Sequence, residues 1–526
     1  HTDTGSLTHQ KVGSRGSHMA GLSLPGEAKP YYLSYVLTRY RQWQIAGSLG
    51  GIFYSTVTPW QSSGGVQVML GNYLHNSDIQ YMGQVAPVQL PAELDGYNIR
   101  RGFWETSDLM YRFSLQVMAR KIAHLKSNPL PPAEAAVPDM QQLPAVTKMV
   151  ERPRPFEVDL AALEGMVKEL SALFKDYKEL FNSNVMLVAV EQDNFRLTSE
   201  NVRLKFPLGL VGLTVSASVR TTDGSTVSDV LAISSLENPA DLPSLEELKK
   251  KVTDFADNLM ELKETPMIEE YYTGPVLFEE GAASRLFTDN LLSPGRLLAL
   301  RTMAPARGML DEQLGRKIMD SRLTVKNYTM LVEYDGTPLF GHYEIDGDGV
   351  VPAAELTLVE NGVFKRMLNG RVPTLKAPES TGSARFMISP DNPVAIVSPG
   401  TIHVQTSKSV APEKLKKALL KAAKEADLEY AYIVRRIGGE ASAVYKVNVK
   451  DGKETRVRVN NLSAPELTKL MDLKGISSDE RVMNYFPNGV PASLIYPSAI
   501  IVGDVEINRT TPKIEEVPVL KHPLQR

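Results

Sequence analysis

The run Glu355-Leu356-Thr357-Leu358-Val359 ends at Asn361-Gly362 and resumes as Val363-Phe364-Lys365. Asn-Gly is the residue pair that accepts positive φ at both central positions of a type I′ turn, so this spacing predicts a two-residue β-hairpin. Just upstream, Asp346-Gly347-Asp348-Gly349 lies between an apolar stretch (Met330 to Val332, then Leu339-Phe340) and Val350-Val351. That pattern reads as strand, tight turn, strand. Calcium ligation by the two aspartates is the alternative, but an EF-hand loop needs further ligands at fixed offsets, and Ala353 to Thr357 does not match them. This region is therefore expected to be antiparallel β.

A chain of 526 residues implies at least two domains, because single cores rarely grow past ~250–300 residues. Its apolar content of 43% and charged content of 23% are those of a globular protein with ample core. The net charge of −3 gives no electrostatic case for nucleic acid, whose binders carry a basic excess or stripe. No apolar run reaches the ~18 residues of a membrane span. The absence of cysteine removes disulfides, thiolate metal sites and cysteine nucleophiles together. It leaves the compartment open; the expectation is cytoplasmic, with the periplasm as alternative. Residues 1–20 read as a tag or leader, since Gly16-Ser17-His18-Met19 looks like an expression scar.

Along the chain, Tyr31 to Leu37, Trp43 to Ser55 and Val66 to Leu70 read as strands of a meander. A helix capped by Ser107-Asp108 and ending near Ser127-Asn128-Pro129 follows. Residues 128–155, rich in Pro and Ala, read as a loosely structured connection. Val158 to Phe181 is an amphipathic helix, followed by strands at Val185 to Val190, Phe195 to Leu197 and Val202 to Phe206. A longer pair, Val211 to Val219 and Val227 to Ile233, turns at Asp223-Gly224. Ser244 caps a helix from about Leu245 to Leu262. Beyond Tyr271 strands dominate, interrupted by a helix at Pro412 to Glu425, whose lysines form a solvated face. After it come a strand, Leu428 to Ile437, and a hairpin turned by Asp451-Gly452. The fold class is α+β in two domains: a mixed α/β N-terminal domain at 21–268, and a mainly antiparallel β C-terminal domain at 269–526.

Three motifs stand in one order: the acidic-Gly turn at Asp346 to Gly349, Glu360-Asn361-Gly362, and Glu379-Ser380-Thr381-Gly382-Ser383-Ala384-Arg385. With Tyr272 to Phe287 and Pro491 to Tyr496, they resemble the TldD/PmbA family, once named modulators of DNA gyrase. That family contains zinc metallopeptidases and relatives that have lost the metal. The resemblance implies a strand around Pro275-Val276 followed by a helix, which in active members carries HExxxH, with a later cysteine completing the ligands. Counting from the Pro-Val pair puts Thr288 and Ser293 where the histidines would stand and Asp289 at the glutamate. None of the eight histidines lies near, and hydroxyls are poor zinc ligands. The chain thus resembles the metal-less branch, with no cofactor of its own and zinc expected only in a partner.

What the resemblance implies is a homodimer, or a heterodimer with a zinc-bearing relative, enclosing a chamber for unfolded peptide. Peptide contact is expected at Glu379, Ser380, Thr381, Gly382 and Arg385, with backbone pairing to an extended substrate. Two other readings stay open: a peptidase with a non-standard site, such as Ser380 with His342 or His403, and a scaffolding homodimer without proteolysis. His342 reads as solvated or at the edge of the core, and His403, alternating with Ile402 and Val404, as pointing out of a strand.

Overall fold

The computed structural model describes residues 21–509 apart from 80, 82–84, 92, 237, 303–308, 390–393 and 460–461. Strands β1 (Pro30–Ser48) and β2 (Gly51–Leu70) form one long hairpin. Its turn, Leu49-Gly50, has φ of 50° and 79°, the left-handed pair of a type I′ turn. The expected strand from Trp43 to Ser55 is therefore two strands folded back at Leu49. β3 (Ala86–Val88) adds to β2, and α1 (Gly96–Ser127) follows.

Helix α1 begins well before Ser107. Asp95 is the cap, accepting from the Asn98 amide, while Ser107 lies inside and donates to the Phe103 carbonyl at 2.6 Å. Nor is the connection at 128–155 loose throughout. It contains a helical turn, Pro132–Ala135, and β4 (Val146–Met149), which pairs in parallel with a later strand. Helix α2 (Leu160–Ala172) passes into a 3₁₀ turn at Leu173–Asp176, short of Phe181. The short strands expected after it are parts of β5 (Leu180–Thr198) and β6 (Val202–Arg220), which turn at Asn201, φ 65°. β7 (Thr226–Ser235) and α3 (Leu245–Glu264) follow as expected, with Ser244 and Glu247 forming a capping box.

The resulting sheet has the order β3-β2-β1-β5-β6, and β6 is flanked along its first part by β4 and along its second by β7. Its pleat separates two kinds of burial. Residues such as Ile45, Leu187 and Leu213 form a core with Leu163, Val167 and Leu170 of α2 and Leu248, Val252 and Leu259 of α3. Each such side chain contributes roughly 1.5–3 kcal/mol. On β1 and β5 the alternate positions Tyr32, Ser34, Thr38, Gln192, Asn194, Arg196 and Thr198 are polar yet also buried. The C-terminal half covers some of them: Gln192 Nε2 donates to the Met387 carbonyl at 2.9 Å, and Arg196 Nη1 to that of Gly347 at 2.8 Å.

That half is built on two six-stranded sheets. One runs in space through 363–364, 355–360, 323–328, 401–406, 492–497 and 480–485. The other runs through 454–457, 443–448, 430–436, β8 (Tyr272–Glu279), 499–507 and 473–476. Pairing is antiparallel except at 401–403 with 493–495 and at 432–434 with 276–278. A shared core takes Val276 and Phe278 from β8, Val325 and Ile402 from the first sheet, and Leu286 and Phe287 from α4 (Glu280–Leu291). Leu277 points the other way, onto Leu415 and Leu419 of α5 (Pro412–Glu425). Asn361 and Gly362, at φ 48° and 78°, make the expected hairpin. Asp346 to Gly349, by contrast, does not join two strands. A small hairpin upstream turns at Asp335-Gly336, and the Asp346 loop is buried without flanking strands.

Candidate functional site

Helix α4 starts at a sharp bend, where Glu280 takes φ 52° and its amide donates to the Ser498 carbonyl. The buried Asn290 fastens its inner face, donating to the carbonyls of Leu286 and Pro465. On the more exposed side, Thr288 Oγ1 donates to Asp289 Oδ1 at 3.1 Å, and Arg285 Nε donates to Asp289 Oδ2 at 3.0 Å. Ser293 lies past the helix end, its carbonyl accepting from Arg296. The donor set here is two hydroxyls and a carboxylate already paired with a guanidinium, which does not fit zinc. Among the described residues no three of His, Asp and Glu come together to hold a metal ion.

A second constellation joins the two halves. Asp346 accepts three backbone amides: those of Asp348 (3.0 Å) and Val350 (2.8 Å) at Oδ1, and that of Ala384 (3.0 Å) at Oδ2. Burial, then the neighbouring Asp348 charge, push its carboxyl up to about 7, against the pull of those amides. Asp348 Oδ1 accepts from Arg196 Nη1 at 2.7 Å, and its Oδ2 accepts from the Arg371 amide at 3.3 Å. The Arg371 guanidinium lies over the Tyr32 ring and donates to Tyr32 Oη, the Gln141 carbonyl and Glu200 Oε1. Burial opposes charge on Arg196, but Tyr32 and Asp348 outweigh it, so that its pKa rises. These groups come from six places distant in sequence: Tyr32, Gln141, the stretch from Arg196 to Glu200, the stretch from Asp346 to Val350, Arg371 and Ala384. The acidic-Gly turn signalled one side of the cluster; the polar positions of β5 signalled the other, but strand alternation alone reads them as solvent-facing.

The loop from Glu379 to Arg385 closes over the Asp346 loop. Ser380 donates its amide to Gln141 Oε1 at 2.9 Å, and Thr381 Oγ1 exchanges bonds with the Asn369 backbone. Gly382 has φ +69°, and a Cβ there would meet Pro352 backbone atoms at 2.9 and 3.0 Å. Tyr343 donates its hydroxyl to the Gly382 carbonyl at 2.9 Å. Arg385 Nη1 donates to the carbonyls of Pro399 (2.7 Å) and Pro491 (2.5 Å), with its guanidinium over the Tyr343 ring. Burial pushes Arg385 down to about 10. Of the five residues singled out in this loop, Glu379 is exposed, Ser380 and Thr381 are half-buried, and Gly382 and Arg385 are buried.

Among the described residues no hydrogen bond links this loop to Thr288, Asp289 or Ser293. The histidines are apart from it as well. His342 is exposed, whereas His403 is covered: its Nε2 lies 2.9 Å from Glu480 Oε1, and its ring meets that of Tyr334. It does leave the apolar face of its strand, as alternation suggested, but the Tyr334 hairpin caps it.

Beside the junction lies a cleft of about 400 Å³ lined by Val146, Lys148, Met330, Glu344, Ile345 and Val351. Lys148 Nζ donates to Glu344 Oε2 at 2.6 Å across it. β4 pairs with β6 on one side, and its other edge meets no strand among the described residues. An open strand edge beside an apolar cleft can accept an extended chain by backbone hydrogen bonding.

Residues 272–509 match the PmbA/TldA metallopeptidase C-terminal domain. In fold, the chain is similar to TldE from Thermococcus kodakarensis, with a TM-score of 0.55 and 14% identity, covering 91% of this chain and 96% of that one. It is also similar to a modulator of a DNA gyrase from Thermotoga maritima (TM-score 0.52, 14% identity, 91% and 96% covered). A third similar structure, a modulator of DNA gyrase from Bacteroides thetaiotaomicron, has a TM-score of 0.50 and 13% identity, with 93% and 97% covered. No curated protein matches the chain in sequence.

Proposed function

We propose that this chain, whose residues 272–509 match the PmbA/TldA metallopeptidase C-terminal domain, is a non-catalytic member of the TldD/PmbA family which holds extended peptide for a zinc-bearing relative. The observation that carries this reading is the surface of α4. Where the family resemblance calls for a zinc ligand set, the helix offers Thr288 and an Asp289 already bound by Arg285, and Ser293 lies past its end. Such a surface cannot lower the pKa of a water molecule. The open edge of β4 and its cleft supply the peptide contact, with Glu379 to Arg385 shaping the neighbouring wall. The 21–268 and 269–526 segments are proposed as the two domains, clamped by the Asp346/Asp348 and Arg196/Arg371 cluster.

Elemental analysis of the purified chain tests the metal part: less than about 0.1 zinc per chain is expected. Near one zinc per chain, lost on Asp289→Ala, would sink the proposal. Assembly as a homodimer, or as a heterodimer with the zinc-bearing relative, is the accompanying expectation. Light scattering that gives a 58.0 kDa particle at micromolar concentration, unshifted by the relative, would remove it.

A further inference from the structure

Five arginines are buried among the described residues: Arg196, Arg371, Arg385, Arg456 and Arg458. Four have a carboxylate: Asp348 for Arg196, Glu200 for Arg371, Glu261 for Arg456 and Asp223 for Arg458. Arg385, 8% exposed, has none among the described residues. Its partners there are two carbonyls and an aromatic face, which offer dipoles but no compensating charge. A buried cation left in this way costs free energy that an arriving anion would recover.

Unpartnered hydroxyls lie on or beside the two segments whose carbonyls hold Arg385. Ser398 Oγ, Thr401 Oγ1 and Tyr485 Oη are buried and find no hydrogen-bond partner among the described residues. Ser398 precedes Pro399, whose carbonyl holds Arg385, and Thr401 follows it by two residues; Tyr485 pairs with Ala492, next to Pro491, whose carbonyl does the same. The Arg385 charge acts on the Tyr485 hydroxyl, opposing the burial that raises its pKa. Tyr343 and Tyr485 are partly exposed as residues, while the Tyr485 hydroxyl and Arg385 are buried.

We propose that Arg385, with Tyr485, Ser398 and Thr401, forms a receptor for a single carboxylate group. One guanidinium matches one negative charge, and the hydroxyls match the remaining lone pairs of a planar two-oxygen acceptor. In a protein that holds peptide, the carboxylate is the free C-terminus of the chain it holds; that identification rests on the proposed function, whereas the carboxylate site itself does not.

The test is isothermal titration of the full chain with acetyl-trialanine, with its C-terminal amide, and with acetate. Wild type is expected to bind the free acid at least tenfold more tightly than the amide, and Tyr485→Phe and Ser398→Ala each to reduce that preference at least threefold. Both variants leave the guanidinium in place, so the test survives if Arg385→Lys does not fold. Equal binding of acid and amide overturns the carboxylate site and leaves the peptide reading standing. Acetate binding that Tyr485→Phe weakens, with neither peptide bound, keeps the site and removes the peptide reading. Binding of neither acid nor acetate overturns the site, and so does a preference that both variants leave unchanged.

Discussion

Replacing Asp348 by alanine removes the carboxylate that meets Arg196 at 2.7 Å, in a pair whose side chains are 10% and 8% exposed. Breaking a buried pair from one side costs about 3–5 kcal/mol, because the other charge stays behind unpaired. Here the stranded Arg196 keeps the Gly347 carbonyl at 2.8 Å and more distant hydroxyls of Tyr32 and Ser34. Those contacts put the expected loss near the lower end, about 3 kcal/mol, a large share of the ~5–15 kcal/mol that holds a protein folded. The assay is urea unfolding of Asp348→Ala, Arg196→Met and the double variant, followed by the fluorescence of Trp43, Trp60 and Trp104, all in the N-terminal half, and by circular dichroism, which reads both halves. The double variant should lose less than the sum of the singles, with a coupling of about 1–3 kcal/mol. Since the pair joins β5 to the Asp346 loop, the single variants should also separate the unfolding of the two halves. A loss below about 0.5 kcal/mol for Asp348→Ala, or strict additivity in the cycle, would refute the view of this pair as the clamp.

Two further outcomes follow from the same junction. Burial and the Asp348 charge raise the Asp346 carboxyl from 3.8 to about 7 in the fold, so the folded chain takes up a proton that the unfolded chain does not. Its contribution is fully present below about pH 4 and lost as pH rises to about 7; denaturation midpoints measured from pH 4 to 8 should fall more steeply for wild type than for Asp346→Asn, and parallel curves would contradict this. Gly382→Ala forces a Cβ onto the Pro352 backbone at φ +69° and should cost more than about 1 kcal/mol, read as a lower melting temperature; an unchanged one would show that the loop yields freely.

Local chemistry was legible where one residue pair decides the backbone. Asn361-Gly362, the Ser244 cap and the run from Pro412 to Glu425 each formed the element their sequence specifies. The reading failed where tertiary packing overrode a local signal. Ser107-Asp108 resembles a cap but lies inside α1, because Asp95 already satisfies the helix start. Asp346-Gly347-Asp348-Gly349 resembles a surface turn, yet inside the protein Arg196 of β5 pairs with Asp348, and backbone amides, that of Arg371 among them, satisfy the carboxylates. Nothing in a linear sequence pairs Arg196 with Asp348, and the polar alternation of β5 looks the same whether it faces water or another half of the chain. The strand and helix around Pro275-Val276 were readable through the family resemblance. The open edge of β4 was not, since 128–155 carries no strand periodicity.

The most direct test of the central claim is peptide cleavage by the isolated chain and by its mixture with an HExxxH-bearing relative, each with and without a chelator. Amide hydrolysis at neutral pH needs an activated water and a stabilised oxyanion, worth several kcal/mol each, and the Thr288, Asp289 and Ser293 surface supplies neither. The account predicts that the chain alone leaves denatured casein and short peptides intact, and that the mixture cleaves them until chelator is added. Chelator-insensitive cleavage by the isolated chain, abolished by Ser380→Ala or Ser293→Ala, would contradict it and make this protein an enzyme of a different mechanism.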